Sequence, residues 1–338
     1  MIFIYFLFYQ ITIVLMSSAL ITNTVINISL LVILCIGFTF TYMMDKFPNF
    51  AHTSYASLGT MVAFYLVRFM SFNPYFTWPV ATVFGGTLGV ILYIGIVKQI
   101  KKQGAKEITL TFMFYILSVI IASGLAMFSY WLLIGTGTLS SGFLLRSFDY
   151  RVEGAPLIGY IAPAMALFLV ITLNLFFRYS KFGIAMRATA EDERLSSSLG
   201  VNVNHVHLVS WFISGGLAAL AGAIIPMWMG TSVNFSDTLL VSVMAGSVLG
   251  GLESINGAII GGIIVASSQK LFTYSLMSVL GVWVGGYESM IPIVILFTIL
   301  AIEPNGVTAI KREDISVANV RGSLTRLKNA LLKLVEAD

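Results

Sequence analysis

Apolar segments at approximately residues 2–20, 24–44, 53–70, 76–97, 108–134, 157–178, 205–229, 236–250, 255–276 and 278–303 make up most of the chain. No other feature limits the possible folds as strongly. A hydrocarbon layer about 30 Å thick takes roughly 20 apolar residues per helical crossing, and most of the segments approach that length. Their apolar residues run continuously or at helical period, without the ~10-residue alternation of barrel strands. With 58% apolar residues and a mean hydropathy of +0.93, the 338-residue chain is greasier than a water-soluble domain. The expected fold class is all-α, a polytopic transmembrane helical bundle of about eight to ten spans with room for half-helices. Segment 236–250 is short for a full crossing. Segment 108–134 is long and contains Ser123 and Gly124, so a break or tilt is expected there. The first segment lacks a basic leader and is followed at once by another, so it reads as a retained span.

Basic residues orient the bundle. They cluster in 98–106 (KQIKKQGAK), in 178–194, and in the tail after Glu303. The positive-inside rule puts all three on the cytoplasmic side of the cell membrane, with both termini inside and 135–156 outside. The chain then divides into a transmembrane domain, 1–304, and a basic tail, 305–338. Leu324, Leu327, Leu331 and Leu334 share a helical face in that tail, which fits either an interfacial helix or a solvated end. A net charge of +4 is modest, and no nucleic-acid partner is expected. Cys35 is the sole cysteine, so an internal disulfide or Cys-based metal site is excluded.

Segment interiors are nearly free of charge, with Glu107, Asp237, Glu253, Glu288 and Glu303 near segment ends. That disfavours the carboxylate–histidine relay of a proton-driven carrier. His52, His205 and His207 lack metal-ligand spacing, and the last two read as incidental residues at a span entrance. No phosphate loop, HExxH or nucleophile setting is present, so an enzyme is not expected and neither is a bound metal. Small residues are plentiful instead. Gly85/Gly89, Gly246/Gly250, Gly257/Gly261 and Gly281/Gly285 all have GxxxG spacing, and SGGLAALAGA (214–223) continues the theme. Such spacing serves helix packing first, and Gly246, Gly250, Gly257 and Gly261 could also act as hinges.

In FPNFAHTSYASLGT (47–60), Asn49, His52, Thr53 and Ser54 place hydrogen-bonding groups at the mouth of a span. They suit a capped helix N-terminus, a position beside a solute path, or both. Segment 178–203, RYSKFGIAMRATAEDERLSSSLGVNV, concentrates charge between apolar runs. It is expected to form one short cytoplasmic helix over 184–203. Ala188, Leu195 and Leu199 would share a face, Glu191, Asp192 and Arg194 would fan out around it, and Gly200 would end the helix. Such a ridge suits docking in a partner's groove, and equally an ordinary solvated loop.

ATAEDERLSSSLGVNV resembles the coupling-loop signature of ABC-importer permeases. More narrowly, NFAHTSYASLGTMVAF, KFGIAMRATAEDERLSSSLGVNV, SGGLAALAGAI, VLGGLESINGAIIGGII and the closing EPNGV resemble permease subunits of branched-chain amino acid importers. That group also includes urea permeases. Thr53 and Ser54 replace a pair often Gly-Glu in the family, and Ser196–Ser198 replace an Ala-rich stretch.

The resemblance implies a membrane subunit that provides the path for a small solute, chiefly branched-chain or other hydrophobic amino acids. It implies a second permease subunit, identical or paralogous, two separate ATPase subunits and an extracytoplasmic solute-binding protein. ATP and Mg would be bound on the partner ATPase, with no cofactor in this chain. Loop 179–204 would carry the coupling contact through Ala188, Glu191, Asp192, Leu195, Leu199 and Gly200. The alternatives are a permease for urea or short amides and an ion-gradient-driven carrier.

Overall fold

The computed structural model describes residues 18–138, 140, 142–152, 155–233 and 235–302. The proposed first span, the EPNGV ending and the tail helix lie outside the described residues, save for the last three positions of segment 2–20. The helices are α1 (Ser18–Asp45), α2 (His52–Met70), α3 (Thr77–Leu92), α4 (Lys98–Lys102), α5 (Glu107–Thr136), α6 (Ile158–Tyr179), α7 (Lys181–Glu191), α8 (Glu193–Ser198), α9 (Val203–Trp228), α10 (Phe235–Gly250), α11 (Ile255–Leu280) and α12 (Met290–Ile302). A 3-10 turn precedes α3, and a π-turn, Tyr93–Val97, fuses α3 to α4. β1 (Arg151–Val152) and β2 (Ala155–Pro156) form a minimal antiparallel hairpin. Among the described residues, six helical stretches are long and apolar enough to span a membrane: Leu20–Asp45, Pro74–Lys102, α5, α6, α9 and α11.

α1 and α9 form the centre of the bundle, 83% and 78% buried over their most apolar windows, whereas α5 and α6 are 11% and 17% buried. Small residues account for the centrality of α9. Its Gly215, Ala219 and Gly222 meet Gly85 on α3 and Gly59 and Ala56 on α2 so closely that a methyl on Gly59, Gly85 or Gly222 would overlap the facing carbonyl. The Thr60 hydroxyl donates to the Gly222 carbonyl at 2.7 Å across the same contact. Gly246, Gly250, Gly257 and Gly261 play the same part between α10 and α11, and Gly246 also faces the Cys35 sulfur of α1. Lipid tails are as apolar as leucine, so close backbone approach and dispersion must hold such helices together.

Three expectations need correction. Of the break or tilt expected at Ser123 and Gly124, the break does not occur: α5 runs unbroken, because a helix exposed over most of its surface has no other partner for its backbone groups. Segment 278–303 is not one helix. Gly281, at φ +104, ends α11, and a 3-10 turn (Val282–Tyr287) precedes α12. Gly281 and Gly285 therefore shape a turn and do not pack two helices.

α2, expected to begin at the mouth of a span, begins inside the bundle instead. The His52 ring lies 3.1 Å from the Leu34 carbonyl, and Ser54 donates to the Ser118 carbonyl of α5 at 3.4 Å. Eleven residues separate Leu34 from the Asp45 end of α1 and Ser118 from the Glu107 start of α5, about 16 Å of helix in each case. Residues 46–51 thus turn back into the bundle, where protein encloses their irregular backbone.

Replacing Gly222 with Ala is expected to cost about 1–3 kcal/mol through forced separation of α9 from α2. Gly124→Ala, where nothing lies within 4 Å, should be neutral or stabilising by up to about 1 kcal/mol. Thermal unfolding in detergent measures both.

Candidate functional site

Segment 181–200 forms two helices where one was expected. Asp192, at φ −147 and ψ 105, interrupts the helical path and caps the second helix, its carboxylate accepting from the Leu195 N–H at 2.9 Å. Ser180 caps α7 through the Gly183 N–H at 2.8 Å, and Asn202 caps α9 through the His205 N–H at 3.1 Å. Each cap satisfies a donor that the first helical turn leaves free. Gly183 and Met186 face inward, Gly183 against the backbone of Phe176 and Phe177, and Met186 in a small core with Phe40, Met44, Phe177 and Val206.

The break separates the expected ridge. Ala188 is half-buried on α7, whereas Leu195 and Leu199 are 58% and 75% exposed beyond Asp192. Glu191, Asp192 and Gly200 are exposed, and Gly200 takes φ +88 just after α8. An open depression lined by Glu191–Arg194, Ser197 and Val203 lies beside these leucines. The segment thus exposes two leucines and, on Glu191–Arg194, a run of charge.

A buried charge cluster anchors this segment to the bundle. Asp45, the last residue of α1, is fully enclosed. One carboxylate oxygen stands 2.6 Å from Lys101 Nζ and 3.3 Å from His207 Nδ1, and the other accepts from the Trp211 indole N–H at 2.7 Å. On its far side, His207 Nε2 lies 3.6 Å from a Glu193 carboxylate oxygen on α8. The imidazole stacks on Tyr93 of the π-turn, centroids 5.4 Å apart and planes 11° apart. α4 and α9 therefore meet the carboxylate that ends α1, and α8 joins them through His207. The contact with the His207 imidazole holds the Glu193 carboxyl below its ordinary range, against the upward push of burial.

The Asn49 group is closed. Asn49, His52, Thr53 and Ser54 are all buried by the chain's own packing. Asn49 accepts from the Ala51 N–H at 3.1 Å, a turn ahead of the helix, and the expected side-chain cap is absent because Ala51 occupies the N-cap position of α2. A carbonyl can only accept, so His52 Nε2 carries its proton toward Leu34, and Nδ1 faces the Ser214 hydroxyl at 3.3 Å.

The family model for the branched-chain amino acid transport system permease component matches residues 20–300. The chain belongs to this permease family. A probable branched-chain amino acid transport permease protein LivH of Methanocaldococcus jannaschii is 33% identical over 87% of this chain and 93% of its own length. The high-affinity LivH permease protein of Escherichia coli K12 is 24% identical over 81% and 90%. A tyrosine transport system permease protein of Clostridioides difficile is 26% identical over 65% and 69%. Among solved structures there is no significant match. The permease is a multi-pass membrane protein.

Sequence reasoning treated His207 as incidental and did not single out Asp45, Lys101 or Trp211. The permease buries His207 almost completely, while His205 is exposed against Phe182. One signal was present: His207 and Trp211 are four apart, hence on one face of α9. Trp211→Phe deletes a buried hydrogen bond to a carboxylate and should cost the permease about 1.5–3 kcal/mol. Glu193→Gln affects a half-exposed pair and should cost below about 1 kcal/mol. Because the Glu193 carboxyl is lowered, its contribution is present above the ordinary carboxylate range and disappears as pH falls through the lowered value. The stability gap between Glu193→Gln and the parent, read by thermal unfolding, should accordingly close on acidification.

Proposed function

We infer that this chain is the membrane-spanning permease subunit of an ATP-binding-cassette importer in the cell membrane, and itself not an enzyme. The observation that carries this reading is the pair of helices 181–198, which presents Leu195 and Leu199 outward while Glu193 reaches the Asp45 cluster at the end of α1. A partner that grips this surface holds a handle joined to one of the two most buried helices. The side bearing Lys46, Lys101 and the 181–200 segment is the cytoplasmic side on this reading, by its basic loops.

The partner is an ATPase subunit, two per assembly, each with its own ATP and Mg. A second permease subunit completes the membrane domain, and an extracytoplasmic binding protein delivers the solute. Nucleotide-driven closure of the ATPases pulls on 181–200 and exchanges inward- and outward-open forms. Moving such an equilibrium from 1:99 to 99:1 takes about 5.5 kcal/mol of differential binding. The solute is a hydrophobic amino acid, branched-chain in first place, because relatives aligned over most of their length carry that description.

Glu191→Lys reverses a charge in this exposed run and is expected to lower copurification of the ATPase subunits at least about tenfold, a loss of about 1.4 kcal/mol in association. Gly200→Val forces a branched side chain into a left-handed conformation, which costs roughly 1–2 kcal/mol. In the reconstituted assembly it should leave ATP hydrolysis running while amino acid uptake falls. Uptake driven by a sodium or proton gradient, from vesicles holding this chain alone, would overturn the reading in favour of a secondary carrier.

A further inference from the structure

α11 carries a charge well inside its apolar run. Lys270 lies fifteen residues beyond Ile255, about 22 Å along the helix from the end bearing Glu253. Its ammonium pairs at 2.7 Å with Glu288, which follows the 3-10 turn where α11 and α12 are interrupted. Both side chains are largely shielded, 16% and 27% exposed. An ionisable pair at this depth is costly to keep and marks a solute path more often than a structural joint.

The pair borders a cavity of about 240 Å³. Its walls have two characters. Leu30, Leu31 and Leu34 of α1 with Phe235 and Leu239 of α10 supply apolar lining, while the ion pair, Gln269 and Ser289, with Asn27, Thr238 and Ser242, supply polar lining. At ~30 Å³ per water, the space equals roughly eight water molecules, enough for a solute of about nine non-hydrogen atoms. Broken helices beside a mid-membrane cavity are a recurrent setting for transported solutes.

We propose that this cavity binds a small zwitterion with an apolar side chain, its ammonium on Glu288, its carboxylate on Lys270 and its side chain against the α1 leucines. The proposal deepens the permease reading and rests on it for the bound molecule being cargo. In the empty site the two charges satisfy each other. An arriving zwitterion parts them and gives each a new partner. A solute with one charge satisfies one residue and strands the other, at the penalty of an unpaired charge. The site thereby rejects simple amines and simple acids that share the same tail, which is discrimination by what is left unpaired.

The test uses Ser242→Cys in the full-length chain, purified in detergent, with the unsubstituted chain as control for buried Cys35. The rate of labelling by a small methanethiosulfonate reagent is read with and without added ligand. L-Leucine at about twice its dissociation constant should slow labelling about threefold by mass action. Isoamylamine and 4-methylpentanoate, with one charge each, should leave the rate unchanged. Lys270→Gln and Glu288→Gln, each added to the labelled chain, should abolish protection by leucine, and so should the exchange Lys270→Glu with Glu288→Lys, which keeps a pair but reverses its poles. Equal protection by the single-charge analogues overturns the proposal, as does full protection in the exchanged chain, which would make the pair a structural joint. Absence of protection by leucine up to its solubility overturns it too. The analogue comparison needs no charge variant to fold. The assay needs no ATPase, so a failure of ATP-coupled uptake counts against the importer reading and leaves this result standing.

Discussion

Contact between helix backbones is the condition on which the rest of this protein depends. In water, burying leucines would hold a bundle together; in lipid that drive vanishes and only close fit remains. α9 achieves the fit with a stripe of glycine and alanine, and the carbonyls of α2 and α3 lie where side chains would otherwise stand. A second glycine set fastens α10 to α11. Large aromatic residues are then available for the ends and the outward faces, as on α5, where Phe112, Tyr115, Tyr130 and Trp131 stay exposed.

The same condition explains where charge can sit. Asp45 is tolerated because Lys101, His207 and Trp211 surround it, and Lys270 because Glu288 answers it. The partners of Asp45 come from distant parts of the sequence, whereas Lys270 and Glu288 face each other across a single turn. Neither cluster resembles a surface salt bridge such as Lys46–Glu253, which joins two loops in the open at 2.9 Å and contributes little to stability.

These contrasts mark what the sequence makes legible. Spans are legible because length and hydropathy are local properties: the segments anticipated at 157–178, 205–229 and 236–250 correspond to helices Ile158–Tyr179, Val203–Trp228 and Phe235–Gly250. Which spans lie inside is not legible from hydropathy, since α5 and α6 are as apolar as α1 and α9 yet far less buried; the glycine pattern of α9 was the better guide. The charged segment 178–203 stood out by composition, but its division at Asp192 rests on a local cap that competes with helix continuation. Of the convergence on Asp45 only the shared α9 face of His207 and Trp211 is legible, because the rest depends on how α1, α4, α8 and α9 dock. Lys270 could have been found, as a lone basic residue well inside the α11 run.

The return of residues 46–51 into the bundle has a mechanical corollary. Only six residues connect the clamped corner at Asp45 to the sunken start of α2 at His52, and His52 is itself fastened back onto α1 at Leu34. A connector so short and so pinned transmits a tug instead of absorbing it. Any displacement of the Asp45 corner would therefore reach the buried start of α2 with little slack to take it up.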